Sequence, residues 1–269
     1  MSDGTRPLAL VTGASSGIGL ELGRELAVHG YDLILAAEDD ALHTAAERLR
    51  HHGTDVRAVQ ADLATYDGVE TVYASTRIRG APVDVAVLNA GVGRAGPFLA
   101  TELADQARVI DVNVSSTVHL AHRLLPGMVD RGAGRMLVTS SAAADLPGPY
   151  QAVQNATQAF LKSFALALNG ELDGTGVTVT ALLPGATDTR FFVRAGLLDT
   201  RVGRSRKTSP ETVARQGCAA VLREHPKAVA VAGPLRTRVG VLAADLLPAT
   251  ARAALHRRRA EPGGGQHGL

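Results

Sequence analysis

Short apolar strand patterns alternate with amphipathic helix patterns along nearly the whole chain, and this alternation constrains the fold more than any other feature. The strands are predicted at Leu8–Thr12, Asp32–Ala37, Asp55–Gln60, Val83–Leu88, Arg135–Ser140, Val177–Leu183 and Ala228–Ala232. Strands that alternate with helices form parallel sheets, because each crossover helix returns the chain to the same edge of the sheet. We therefore expect an α/β fold: a doubly wound parallel sheet of about seven strands with helices on both faces.

Helix patterns fill the intervals between these strands. They extend from a glycine-rich turn to about His29, and over Ala41–His52, the sixties and seventies, Thr101–Ile110, Val114–Arg131, Ala152–Leu172, Val239–Leu247 and Ala251–Ala260. No linker or shift in composition divides the chain, so residues 1–260 are expected to form a single domain. The segment Glu261–Leu269 is polar and glycine-rich, and we expect it to be a disordered tail.

Composition and charge exclude several classes of function. The net charge is only +2, and the basic cluster that ends at Arg259 has no interleaved aromatic residues, so a nucleic-acid partner is not expected. The single cysteine, Cys218, excludes an internal disulfide, and no metal site is expected. No apolar run approaches the ~20 residues that a membrane span needs, and no leader pattern begins the chain. These observations predict a cytoplasmic protein without a membrane partner.

A glycine-rich segment, Thr12-Gly13-Ala14-Ser15-Ser16-Gly17-Ile18-Gly19, joins the first strand to the first helix. Its glycines let the backbone turn sharply and come close to a pyrophosphate, and the helix N-terminus offers free N–H groups to the phosphates. Between a strand and a helix at the start of the chain, this spacing predicts a dinucleotide-binding loop. The alternative is a glycine-rich turn without a ligand.

Together with further motifs, this loop resembles that of the short-chain dehydrogenase/reductase family. The other motifs are Asn89-Ala90-Gly91, Pro184–Thr189 and a serine, Ser141, that ends the fifth strand before the long helix. The resemblance covers residues 8 to about 195 and implies a Rossmann-type fold with a nicotinamide cofactor. It implies cofactor contacts at Gly13, Ser15, Ser16, Gly17, Ile18, Gly19, Glu38, Asp62, Leu63, Asn89, Ala90, Gly91, Gln158, Pro184, Gly185, Thr187 and Thr189. Turn chemistry at strand ends is the alternative for Asn89 and Pro184.

The choice between NAD and NADP depends on the end of the second strand, Ala36-Ala37-Glu38-Asp39-Asp40. Relatives that prefer NADP supply an arginine here, whereas this chain has three carboxylates. Carboxylates accept a hydrogen bond from a ribose 2′-hydroxyl and repel a 2′-phosphate, so the sequence favours NAD over NADP. The alternative is an acidic helix start that only complements the helix dipole.

The catalytic positions depart from the family. The resemblance implies a catalytic Asn113 and Ser141, and a Tyr-x-Ala-Ser-Lys segment thirteen residues after the serine. This chain has Gln154-Asn155-Ala156-Thr157-Gln158 there, so glutamines replace both the tyrosine that transfers a proton and the lysine that lowers its pKa. A carboxamide can donate a hydrogen bond but cannot deliver a proton near neutral pH. General acid catalysis contributes about 10²–10⁴ in rate, so ordinary carbonyl reduction is expected to be slow or undetectable.

Two other groups could replace the missing acid. If Pro149 occupies the first turn of the long helix, Tyr150 shares a stripe with Gln154 and Gln158; the alternative is an aromatic residue at the mouth of the pocket. Asp145, in the loop after Ser141, is the second candidate, with a loop-capping carboxylate as the alternative.

The sequence thus indicates a dinucleotide-binding protein of this family that is not a standard ketoreductase. Three alternatives stay open: an NAD-dependent alcohol dehydrogenase or ketoreductase with a displaced acid; an isomerase, lyase or cyclase that polarises a carbonyl with Ser141, Gln154 and Asn113; and a catalytically dead nucleotide-binding subunit. A small-molecule substrate is expected, and the region of about residues 190–207 resembles the family's substrate lid. Relatives associate through their long helices, which implies a homodimer or homotetramer.

Overall fold

The computed structural model describes residues 6–78, 80–235, 237, 239, 241 and 248–260 of the chain. A parallel sheet of seven strands has the order β3-β2-β1-β4-β5-β6-β7. The strands are β1 (Leu8–Thr12), β2 (Asp32–Ala37), β3 (Val56–Gln60), β4 (Val83–Leu88), β5 (Gly134–Thr139), β6 (Val177–Pro184) and β7 (Val229–Ala232). The predicted Rossmann-type α/β fold is confirmed, and the strand boundaries differ from the prediction by one residue at most.

The helices are α1 (Gly17–Val28), α2 (Ala41–Arg50), α3 (Tyr66–Arg77), α4 (Leu103–Ile110), α5 (Ser116–Asp130), α6 (Ala152–Glu171), α7 (Phe191–Arg194), α8 (Arg201–Arg204), α9 (Pro210–Val221) and α10 (Ala249–Ala260). A π-helical turn, Asp111–Ser115, joins α4 to α5. The predicted tail Glu261–Leu269 lies outside the described residues, as does the predicted helix Val239–Leu247 apart from residues 239 and 241. None of the described helices is long and apolar enough to cross a membrane.

Successive residues of each strand point to opposite faces of the sheet, which creates two apolar layers. Ala9 and Val11 of β1 pack with the layer formed by α1, α2 and α9. Leu8 and Leu10 pack with the layer formed by α3, α5 and α6. Because both faces are covered, β1 and β2 are buried at every residue, and β4 and β6 at all but one residue each, while the carboxyl edge of the sheet carries polar groups.

Helix α9 belongs to this core, although the sequence analysis did not predict it. Its start carries a local signal: Ser209 accepts a hydrogen bond from the Thr212 N–H, and Pro210 occupies the first turn, where its missing N–H costs nothing. A side chain at Gly217 would meet Leu22 and Leu182 at about van der Waals contact or closer, which shows how tightly α9 packs on α1 and β6.

Strand order reverses between β1 and β4, and this reversal decides where a ligand can bind. The crossover from β1 leads to one side of the sheet, and the later crossovers lead to the other. The loops at the carboxyl ends of these two strands therefore separate and leave a crevice, the usual ligand position in open parallel sheets.

Candidate functional site

A cavity of about 790 Å³ lies at this crevice. Every residue predicted to contact the cofactor lines it, from the glycine loop through Glu38, Asp62 and Asn89 to Thr189. Ser141, Gln154 and Gln158 line the same cavity. Residues from most of the length of the chain therefore line one cavity, and their individual roles stay predictions.

The glycine loop is held against the end of β4. Thr12 Oγ1 accepts hydrogen bonds from the backbone N–H groups of Asn89 (2.9 Å) and Ala90 (3.0 Å). Gly13 has a φ of +65°, and a Cβ at Gly19 would lie 2.2 Å from the Gly13 carbonyl oxygen. Only glycine fits both requirements, and the result is a cradle of bare backbone at the start of α1. Such a cradle fits a pyrophosphate.

An arginine that the sequence analysis did not single out pairs with two acidic side chains, Glu38 and Asp62, which follow β2 and β3. Arg108 of α4 donates to both oxygens of Asp62, at 2.9 and 3.1 Å, and also to Glu38. These hydrogen bonds from Arg108 hold the pKa of the Asp62 carboxyl below its usual value. Glu38 and Asp62, both predicted to contact the cofactor, are therefore bridged by a cation from a distant helix.

A second ion pair lies beside the glycine loop. Asp39 Oδ2 accepts from Ser15 Oγ at 3.1 Å and from Arg194 Nη2 at 2.8 Å, and Arg190 Nη2 is 3.9 Å away. Burial would raise the pKa of Asp39, but the hydrogen bonds from Arg194 and Ser15 and the charge of Arg190 outweigh it and lower that pKa. Both arginines belong to the predicted lid.

The predicted lid forms a wall of the cavity and is tied down at both ends. An isolated parallel bridge between Thr187 and Thr208 closes its base. Between these residues lie α7 and α8, and Phe191 and Phe192 of α7 line the cavity. The Ala195 carbonyl accepts from a loop N–H at the end of β4, so the lid lies over the crevice.

Gln154 and Gln158 lie one helical turn apart on the cavity face of α6, as predicted. Gln154 is only 8% exposed, and its Oε1 has no hydrogen-bond partner among the described residues. This oxygen lies beside Gly93, where an added Cβ would be 2.8 Å from it and 2.6 Å from the Phe191 ring. The side chain at the tyrosine position is thus a buried acceptor under the lid phenyl ring.

The two serines at the end of β5 have different tasks. Ser140 Oγ donates to the Gln158 carbonyl at 2.7 Å and so fixes the strand end to α6. Ser141 Oγ accepts from the Ala143 N–H at 3.1 Å. No acceptor for the Ser141 hydroxyl proton occurs in the part of the chain that the structure describes. That proton is available to a carbonyl in the cavity.

Asn113 does not line the cavity. It is fully buried in the π-helical turn, where its amide donates to the Val92 carbonyl (3.0 Å) and to Thr157 Oγ1 (2.9 Å) and its Oδ1 accepts from the Val92 N–H. Both amide protons are used within the protein. The expectation that Asn113 polarises a substrate carbonyl is therefore wrong, and the residue instead ties the loop after β4 to α6.

Neither candidate for a displaced acid lies in the cavity wall. Helix α6 begins at Ala152, so the prediction that Pro149 occupies its first turn is wrong and Tyr150 lies outside the stripe. Tyr150 has a φ of +65°, and its carbonyl accepts from Gly96. The carboxylate of Asp145 is bound by Lys162 Nζ at 2.5 Å. Neither Tyr150 nor Asp145 is among the described residues that line the cavity.

His256 is a lining residue that the sequence analysis did not assign to the site. His256 of α10 is buried in the cavity wall, where its Nε2 accepts from Asn155 Nδ2 at 3.1 Å. In the sequence it belongs to a basic cluster near the C-terminus, and no local pattern indicates that α10 packs over the start of α6.

The chain matches the family model of the short chain dehydrogenases over residues 7–196. It therefore belongs to the short-chain dehydrogenase/reductase family, as the motifs predict. Among curated proteins it is similar to Oxidoreductase UcpA of Salmonella typhimurium, with 32% identity over 246 residues that cover 90% of this chain and 88% of that protein.

Two solved structures show the same fold with cofactor bound. One is a short-chain dehydrogenase from Sphingobium yanoikuyae in complex with NADPH, with a TM-score of 0.79, 30% identity, and coverage of 89% of this chain and 93% of the other. The second is L-sorbose reductase from Gluconobacter frateurii with NADPH and L-sorbose, with a TM-score of 0.71, 30% identity, and coverage of 78% and 88%.

Proposed function

We propose that the cavity binds a nicotinamide dinucleotide and that this protein does not perform the standard proton-coupled carbonyl reduction of its family. The observation that carries the proposal is the composition of the α6 wall: glutamines stand at both positions where a phenol and an ammonium are required. The described residues that line the cavity include no tyrosine, lysine or cysteine.

The bare backbone at Gly13 and Gly19 supports dinucleotide binding, because side chains there would collide with Ala90 and with the Gly13 carbonyl and so distort the loop expected to hold the phosphates. Gln158 can hydrogen-bond a ribose hydroxyl, and Ser141 can donate to a substrate carbonyl. A bound nicotinamide would supply or accept a hydride. Negative charge that develops on the carbonyl oxygen would then meet neither a phenol nor an ammonium on α6, so reduction lacks the ~10²–10⁴-fold contribution of the family's general acid.

The proposal covers both nicotinamide cofactors. The preference for NAD stays a prediction, because it rests on the repulsion of a 2′-phosphate by unpaired carboxylates at the end of β2. In the structure Glu38 is paired with Arg108, and Asp39 is paired with Arg194. Direct comparison of the two cofactors is therefore part of the test.

A second candidate function is a non-redox reaction on the same scaffold. The available hydroxyl proton of Ser141 supports it, because a hydroxyl donor can stabilise a polarised carbonyl without transferring a proton. Hydrogen-bond donors aimed at a developing oxyanion contribute about 2.7–4 kcal/mol each in enzymes that use them. This candidate no longer includes Asn113.

The similar proteins support a small-molecule substrate: one carries the name oxidoreductase, and another is a reductase bound to L-sorbose. Association as a homodimer or homotetramer and a cytoplasmic location stay predictions.

Isothermal titration with NADH and with NADPH tests the binding proposal, and nicotinamide absorbance in the presence of a panel of aldehydes and ketones tests the chemistry. We expect micromolar binding of at least one cofactor and little or no change in absorbance. Rapid oxidation of either cofactor by the unaltered protein would overturn the chemical part. No binding of either cofactor would overturn the first part and leave the non-redox candidate.

A further inference from the structure

Arg194 joins two regions that lie far apart in the chain. Its Nη2 is 2.8 Å from Asp39 Oδ2 across 155 positions of sequence, and the same oxygen accepts from Ser15 of the glycine loop. Arg190 lies 3.9 Å from this oxygen. Arg190, Arg194, Asp39 and Ser15 all line the cavity, so the ion pair faces the space available to a ligand.

Its place in the fold indicates which part of a dinucleotide it would meet. Ser15 lies in the loop expected to hold the phosphates, and Asp39 follows β2, where a Rossmann-type fold recognises the adenosine ribose. Arg194 is bonded to that carboxylate. The Arg194 guanidinium therefore lies near the expected position of the adenosine ribose, which carries the 2′-phosphate that distinguishes NADP from NAD.

The local charge permits a phosphate there. The three carboxylates around this corner, Glu38, Asp39 and Asp62, are matched by three guanidinium groups, Arg108, Arg190 and Arg194. The formal charges of these six groups sum to zero, so the repulsion expected from Glu38 and Asp39 is offset, and Asp40, the third carboxylate after β2, does not line the cavity. Because Arg190 and Arg194 are also about half exposed, a ligand can reach them.

Arg194 has donors left for such a ligand. A guanidinium carries five N–H donors in a planar fork, and the bond to Asp39 uses one of them. The fork matches a phosphate in a two-pronged arrangement, and hydrogen bonds between charged groups are about twice as strong as neutral ones. Asp39 can therefore hold the guanidinium in place while another edge of the fork takes the phosphate.

We propose that Arg194, supported by Asp39 and assisted by Arg190, forms a subsite for the 2′-phosphate of NADP. A residue of the lid would then discriminate between NADP and NAD. This inference rests on the proposed function, since it needs a dinucleotide in the cavity. It also reverses the role of the acidic strand end: Asp39 positions the arginine that binds the phosphate.

The test compares NADPH and NADH binding to the unaltered protein, to Arg194→Ala and to Arg204→Ala by titration calorimetry. Arg204 is the matched control, because it is also a lid arginine paired with an aspartate, Asp199. Neither Arg204 nor Asp199 lines the cavity. Arg194→Ala should weaken NADPH binding by about 10-fold or more, the scale of a lost charged hydrogen bond, and change NADH binding by less than about 3-fold. Arg204→Ala should change neither, and Arg194→Lys should restore part of the NADPH affinity. Circular dichroism checks that each variant is folded.

Each possible outcome either supports the phosphate subsite or overturns it. Selective loss of NADPH affinity in Arg194→Ala supports the subsite. Equal losses for both cofactors, or no loss, would overturn it while the proposed function stands. An unaltered protein that binds NADH but not NADPH would also overturn it and favour the carboxylates as ribose acceptors. An unaltered protein that binds neither cofactor would refute the proposed function, and the inference with it.

Discussion

The two ends of the cavity differ in the charge of their polar groups. In the nucleotide half, Gly13–Gly19 and Asp39, carboxylates and guanidinium groups form ion pairs around bare glycine backbone. In the α6 half, Ser141, Gln154 and Gln158, the side chains are neutral, and one buried amide oxygen has no partner among the described residues. The first half is arranged to hold a charged ligand, whereas the second offers hydrogen bonds without a transferable proton.

Under the proposed function, ligand binding and proton transfer would depend on separate parts of the fold. The cradle depends on backbone geometry at the ends of β1 and β4, while the proton-transfer positions are two side chains on one face of α6. Substitutions on α6 can therefore remove the chemistry without touching the cradle. Variants in one half are therefore expected to leave the other half unaffected.

The largest expected effect comes from Gln154→Tyr combined with Gln158→Lys. With a phenol and an ammonium one turn apart on the cavity face, carbonyl reduction should rise by about 10²–10⁴-fold, the contribution of a positioned general acid. Initial rates of NADH or NADPH oxidation with an aldehyde and ketone panel measure it. The Phe191 ring beside Gln154 Oε1 has to make room for the larger tyrosine.

The matched control is Gln154→Phe with Gln158→Met, which has similar shapes but neither titratable group. It should stay at the background rate. If it gained as much activity as the tyrosine and lysine pair, shape rather than proton transfer would separate this chain from active relatives.

A smaller effect is expected from Gly19→Ala in the nucleotide half. The new Cβ would lie 2.2 Å from the Gly13 carbonyl, so the loop must move and dinucleotide affinity should fall by about 10- to 100-fold, or about 1.4–2.8 kcal/mol. Calorimetric titration with the better cofactor measures the loss.

Gly170→Ala serves as the control for the glycine change, since Gly170 lies in α6 with open space around it. The dinucleotide affinity of Gly170→Ala should be unchanged, and the alanine should stabilise the helix by about 0.5–1 kcal/mol. An unaltered affinity in Gly19→Ala would show that the loop does not hold the ligand, and the comparison between the halves would fail.

Much of this architecture could be predicted because its signals are local. The strands Leu8–Thr12, Asp32–Ala37 and Val83–Leu88 occur at the predicted residues, since each is a short, mostly apolar run between two helix patterns. The glycine loop and the position of Gln154 on the cavity face follow from spacing along a strand, a turn and a helix.

The features that escaped prediction depend on contacts between distant segments. Arg108 meets Glu38 across 70 positions, and Arg194 meets Asp39 across 155, and no local pattern fixes such pairs. The error over Tyr150 has a different cause. Pro149 fits a helix start as well as it fits a loop, and the loop places Tyr150 at positive φ before α6 begins.

The smallest effect separates stability from function in the α6 half. Gln154→Met removes an amide that is 8% exposed and leaves its oxygen unpartnered among the described residues. A buried polar group without a hydrogen bond costs about 1–3 kcal/mol, and methionine fills a similar volume without it. We therefore expect the free energy of unfolding of the ligand-free protein to rise by about 1 kcal/mol, measured by urea denaturation. Gln158→Met, at a less buried position without an orphaned atom, should change it by less than about 0.5 kcal/mol. If Gln154→Met destabilised the protein instead, the Gln154 amide would have a partner in solution, such as an ordered water, and the α6 half would contain no unpartnered buried amide oxygen.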